Sequence, residues 1–121
     1  MSATARQPRP ITLSALPRGV NLRLYAGDTF AMTVRVAEPS GAPIDLDGQT
    51  LEAQIRQIPE SEVILGRFDT QTIDDLVVLQ LSGELTARLP SRCSYDLQWT
   101  DRELTLIAGV IAMRPQVTRD D

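Results

Sequence analysis

A chain of 121 residues, 42% apolar and 23% charged, has the composition of one ordinary globular domain with a single modest core. It contains no histidine and one cysteine, Cys93, which removes the commonest general base and zinc ligand, every Ser–His or Cys–His catalytic pair, and any internal disulfide. All 12 basic residues are arginine, and with 16 acidic residues they leave a net charge of −4, which excludes a broad electrostatic attraction to nucleic acid.

No apolar run approaches the roughly 18 residues that a membrane span requires, and the opening MSATARQPRP lacks the apolar stretch of a secretory signal. Residues 1–19 read as an extended N-terminal arm. Pro8, Pro10 and Pro17 forbid a regular helix there, while Ile11, Leu13 and Leu16 are apolar enough to want a surface. From residue 20 to 118 the sequence predicts one β-sandwich domain, followed by a short tail at 119–121.

The period of the pattern within that domain is two. Val20, Leu22 and Leu24 alternate with Asn21, Arg23 and Tyr25, and Ala26-Gly27-Asp28 then supplies a turn. In residues 29–37, Phe30, Met32, Val34 and Val36 share one face, which predicts a strand with one side buried. Residues 38–43 and 45–48 are turn chemistry. Leu51, Ala53 and Ile55 predict the inner face of a third strand, which Pro59 ends. A shorter strand is expected at 63–68, a polar loop at 69–75, and a nearly all-apolar central strand at 76–81. Leu85 and Leu89 stand one helical turn apart before Pro90, so residues 82–89 predict a short helical turn. Cys93, Tyr95, Leu97 and Trp99 share a face of the next strand, and 103–113 completes the set. Seven short strands at this spacing, with one helical turn before the sixth, predict an all-β, antiparallel, immunoglobulin-like sandwich.

Few residues suggest chemistry. Asp45, Asp47 and Gly48 resemble the start of a calcium loop, but Ala53 and Gln54 stand where its closing glutamate belongs, so a self-capping turn is expected. Asp74 and Asp75 are adjacent and cannot converge on one substrate bond, and Glu60 and Glu62 lie in the loop after Pro59. Cys93 shares its face with large apolar residues and reads as a small buried hydrophobe. Tyr95 and Trp99 are large aromatic side chains in a chain with only five aromatic residues. They are expected in the core, Tyr95 bonding back across the helical corner, with an exposed sugar platform as the alternative. Residues 103–113 are apolar on both faces, with Ile107, Ile111 and Met113 on one and Leu104, Leu106, Ala108, Val110 and Ala112 on the other. A last strand is often a sheet edge, so either the arm or another protein must cover it.

The segment 25–56 reads YAGDTFAMTVRV, a turn with Gly41, then PIDLDGQTLEAQIR. It resembles the β-sandwich domains of tail and baseplate proteins of tailed bacteriophages, where a Gly-Asp-Thr turn opens a strand and Pro-Ile/Val-Asp-Leu-x-Gly leads into the next. The later stretch VVLQLSGELTARLPSRCSYDLQWTD is similar to that family's order of strand, Thr- and Ala-rich helical turn, Leu-Pro, and Tyr-containing strand ending in Thr-Asp. The likeness spans residues 24–118, and the arginine-rich, lysine-free composition is similar to that of phages of high-GC actinobacterial hosts. It implies a virion structural protein, a minor tail component of the tail tip, baseplate or neck, assembled in the host cytoplasm. Other tail or neck proteins and symmetric copies of itself are the implied partners. It implies no catalytic residue, metal, cofactor or small-molecule substrate. Ile11, Leu13, Leu16, Ile107, Ile111 and Met113 are the expected partner contacts, and deletion of residues 1–16 is expected to leave the sandwich folded and abolish assembly. The alternative is a stand-alone carbohydrate- or receptor-binding module with Trp99 exposed in a shallow groove.

Overall fold

Successive side chains of an extended chain point to opposite sides, so strict alternation sets which face of each strand is buried. The computed structural model describes residues 9–12 and 17–115. Strand β4 (Phe30–Ala37) turns Met32, Val34 and Val36 inward, and β5 (Leu51–Arg56) does the same with Leu51, Ala53 and Ile55. In β9 (Arg92–Trp99) the inner residues are Cys93, Tyr95, Leu97 and Trp99, as expected. Val77, Leu79 and Leu81 of β8 (Leu76–Leu81) complete the same core.

Two sheets close on this core. One has the order β1 (Arg9–Thr12), β4, β8, β7 (Asp69–Ile73), so the nearly all-apolar β8 is central. The other runs β10 (Leu104–Arg114), β9, β5, β6 (Gly66–Arg67), with β2 (Arg18–Gly19) and β3 (Leu22–Tyr25) lying end to end along the far side of β10. In chain order the strands change sheets at β1–β2, β3–β4, β4–β5, β6–β7 and β8–β9, while β7–β8 and β9–β10 are antiparallel neighbours within one sheet. This is an immunoglobulin-like sandwich. The helical turn α1 (Gly83–Arg88) bridges the sheets just before β9. Ser82 Oγ caps it by accepting the Leu85 N–H at 3.2 Å, and Leu89-Pro90 ends it.

The strand count exceeds seven for identifiable reasons. The expected arm is not an appendage throughout: Arg9–Thr12 pairs in parallel with β4, and Arg18–Gly19 pairs with β10. Pro10 is tolerated because β1 is an edge strand, where one side of the backbone needs no donor. The polar stretch 69–75 is β7 followed by a tight turn at Asp74, whose φ is 55°. It lacks an apolar stripe because it is a sheet edge. The strand expected at 63–68 shrinks to Gly66–Arg67, leaving Val63 and Leu65 in an exposed loop.

Strand β10 is not an edge. A bulge between Thr105 and Ile107 shifts the register, so Leu106 and Ile107 both reach the core, followed on the inner face by Ile111 and Met113. Ala108, Val110 and Ala112 are half-buried on the outer face. The chain's own residues 18–25 cover its free side.

Candidate interaction surface

Two contacts made possible by glycine hold the sandwich together, one at a corner and one midway along β10. At one, a Cβ on Gly83 would collide with the Gly27 carbonyl oxygen, so α1 packs directly on the β3–β4 turn. Thr86, fully buried, joins the two: its Oγ1 accepts the Gly27 N–H at 3.1 Å and donates to the Asp28 carbonyl at 2.8 Å. The Gly-Asp-Thr turn and the Thr-containing helical turn, 58 residues apart, are thus one interlocked corner.

The second contact lies between β2 and β3, where residues 18–25 run alongside β10. A Cβ on Gly109 would fall inside the Val20 carbonyl group. That carbonyl accepts the Tyr95 hydroxyl at 2.7 Å, Asn21 Oδ1 accepts the Val110 N–H at 3.0 Å, and Val20 N–H donates to Ala108 O at 3.2 Å. Tyr95 thus bonds to the N-terminal segment, a partner that its sequence position did not suggest.

The partner contacts expected from the sequence divide sharply. Ile11 is 3% exposed, and Ile107 and Ile111 are fully shielded, so all three are core residues of this chain and their side chains cannot meet a partner. The correction has a simple cause: β1 joins the β4 sheet and the bulge in β10 turns both isoleucines inward. Met113 packs partly buried against the same core. Leu13 and Leu16 lie outside the described residues.

The candidate chemical groups are structurally engaged. Asp45 Oδ1 accepts the Asp47 N–H at 3.0 Å, the self-capping turn its spacing predicts. Asp75 pairs with Arg35 at 3.2 Å, beside a cleft of about 350 Å³ formed with Pro43, Ile44, Asp45 and Asp74. Cys93 is buried, and burial pushes its thiol pKa above the ordinary value. Burial also pushes the Asp96 carboxyl up, against the opposing pull of Arg56. Trp99 is 1% exposed, donates from Nε1 to Gln49 Oε1 at 2.9 Å, and lies under the Arg102 guanidinium at 4.3 Å. A buried indole offers no sugar platform, so the exposed Trp99 of the alternative reading is not found.

Two surface features were not singled out from the sequence. Of five large exposed hydrophobic residues among those described, Ile58, Val63 and Leu65 sit in the one loop between β5 and β6, beside Glu60 and Glu62. The VIL run at 63–65 is the signal, but it reads as strand until the loop around it is seen. On the outer face of the β10 sheet, a groove of about 350 Å³ is lined by Val110, Ala112, Arg23, Arg92 and Asn21, and by Leu22, whose side chain is buried in the core. Cross-strand register was needed to bring these residues together.

The fold class and the surface are thus defined. No protein-family model matches the chain, and no curated protein matches it. Among solved structures it is similar to an uncharacterized protein from Bacillus anthracis strain Ames, at 17% identity and a TM-score of 0.46 over 96% of this chain and 99% of that one. It is also similar to the M1 domain of titin, at 6% identity and a TM-score of 0.37, over 88% and 99% of the two chains.

Proposed function

We propose that this chain is a structural component of a tailed-bacteriophage virion, a minor tail protein of the tail tip, baseplate or neck, that works by docking to neighbouring proteins and to copies of itself. The observation that carries the docking reading is the clustering of Ile58, Val63 and Leu65 on one exposed loop. Scattered exposed hydrophobics are ordinary, whereas an apolar cluster rimmed by charges is the composition of a protein contact. The phage assignment draws on the order and spacing of the likeness over residues 24–118, two stretches of which, the Gly-Asp-Thr turn and the Thr- and Ala-rich helical turn, meet at the Gly27–Thr86 corner.

Immunogold electron microscopy of the parent particles, with antibody against the native chain, tests this reading. Gold at one fixed position on the particle is expected and would name the layer. Particles without gold, given antibody that recognises the native protein, would refute a virion role.

A further inference from the structure

The acidic, apolar loop and the arginine-lined groove lie at the same end of the same sheet. Arg56, at the end of β5, is opposite Ser94, and Ala112, near the end of β10, is opposite Arg92. Gln57 Nε2 donates to the Arg92 carbonyl at 3.2 Å, tying the root of the loop to the strand that carries the groove's arginine. Strand β9 alone separates β5 from β10, so loop and groove are two strand spacings apart, about 10 Å.

Their surfaces complement each other in two respects. The loop offers Ile58, Val63 and Leu65 with two carboxylates, Glu60 and Glu62. The groove offers an apolar floor of Val110 and Ala112 with two guanidiniums, Arg23 and Arg92. Among the described residues none of these four charges has an ion-pair partner within the chain.

We infer that the loop of one copy docks in the groove of a second copy, and the reverse, around a two-fold axis passing between them. Adjacent complementary patches on one surface are what an isologous contact requires, since residue i meets j′ while j meets i′. The apolar side chains lose water at the centre, and the arginine–glutamate pairs at the rim set register and exclude other partners. This dimer is the self-docking element of the proposed function and rests on that reading's premise that the exposed loop is a contact surface.

Sedimentation velocity of the full chain across a concentration series tests it. A concentration-dependent dimer is expected. The loop variant Glu60→Arg/Glu62→Arg and the groove variant Arg23→Glu/Arg92→Glu should each weaken association by about tenfold or more. Mixing the two variants should restore the dimer, because in the mixed pair both loop–groove contacts join opposite charges. All four residues are exposed, and circular dichroism checks that each variant keeps the wild-type fold. A wild-type chain that stays monomeric throughout, or a dimer indifferent to both charge reversals, would overturn the inference. A monomer that still labels the virion at one position sinks this interface and leaves the virion role standing. A charge-dependent dimer with unlabelled particles does the opposite.

Discussion

A single methyl group at position 109 should do damage far out of proportion to its size. Gly109 faces the Val20 carbonyl so closely that alanine's Cβ cannot be placed unless the adjacent segment moves. Movement disturbs three hydrogen bonds: Tyr95 hydroxyl to Val20 O at 2.7 Å, Val110 N–H to Asn21 Oδ1 at 3.0 Å, and Val20 N–H to Ala108 O at 3.2 Å. At about 1 kcal/mol net for each, the loss is about 3 kcal/mol, which matches the upper end of ordinary overpacking costs. The segment has little freedom to escape by peeling away, because Leu22 and Leu24 are each 6% exposed and anchor it by about 1.5–3 kcal/mol apiece. Urea unfolding followed by Trp99 fluorescence and by circular dichroism gives the number, with coincident transitions as the test of two-state behaviour. Gly109→Ala should lower stability by about 3 kcal/mol, or the melting temperature by about 10 °C. Two controls bracket it. A Cβ at Gly19, in the same segment, meets nothing, so Gly19→Ala should stay within about 0.5 kcal/mol of wild type. Tyr95→Phe removes one of the three bonds and should cost about 1–2 kcal/mol. If Gly109→Ala were as harmless as Gly19→Ala, the close contact would not be what holds residues 18–25 on β10.

Thr86→Val keeps the shape of the buried side chain but strands the Gly27 N–H and the Asp28 carbonyl, and should cost about 2 kcal/mol; combined with Gly83→Ala, which separates the same two turns, the loss should fall short of the sum, and strict additivity would argue against one interlocked corner. Asp96 has a higher pKa folded than the ordinary 3.8, so between the two values the folded state holds more protons and stability falls as pH rises through that window. Asp96→Asn should therefore raise the melting temperature at neutral pH by an increment that shrinks as the carboxyl is protonated, and an increment independent of pH would refute the desolvation argument. Cys93 is buried with its thiol pushed up, so a thiol reagent should modify the native protein only at the rate of unfolding; fast labelling under native conditions would show an open path to the β9 face.

The sequence was most legible where a strand has one wet face and one dry one. Met32, Val34 and Val36, or Leu51, Ala53 and Ile55, announce their burial by alternation alone, and they sit where the pattern puts them. Legibility failed at sheet edges. Asp69–Ile73 carries no apolar stripe because none of its residues is buried, so nothing distinguishes it from a loop until β8 is there to pair with it. It failed again at β10, where a single inserted residue reverses which side chains face inward. No local pattern reports a bulge, and straight alternation through it places Ile107 and Ile111 on the outer face. The candidate surface was hidden for a third reason: Arg23, Arg92, Val110 and Ala112 are contiguous only across three strands whose register the sequence does not state.

These misreadings change which experiment can separate folding from assembly. Deleting residues 1–16 would have been clean had the arm been an appendage. It removes β1 instead, and with it Ile11, whose burial is worth about 2 kcal/mol, and it exposes the edge of β4 along Val34, Arg35, Val36 and Ala37. An uncovered strand edge promotes pairing with other chains, so loss of assembly in that variant would report misfolding or aggregation as readily as a lost contact. The loop and groove residues carry no such ambiguity. Glu60, Glu62, Arg23 and Arg92 are exposed, and none of their side chains makes a hydrogen bond in either glycine contact, so reversing their charges alters the surface while the Gly27–Thr86 corner and the Val20–Gly109 contact continue to hold the sandwich closed.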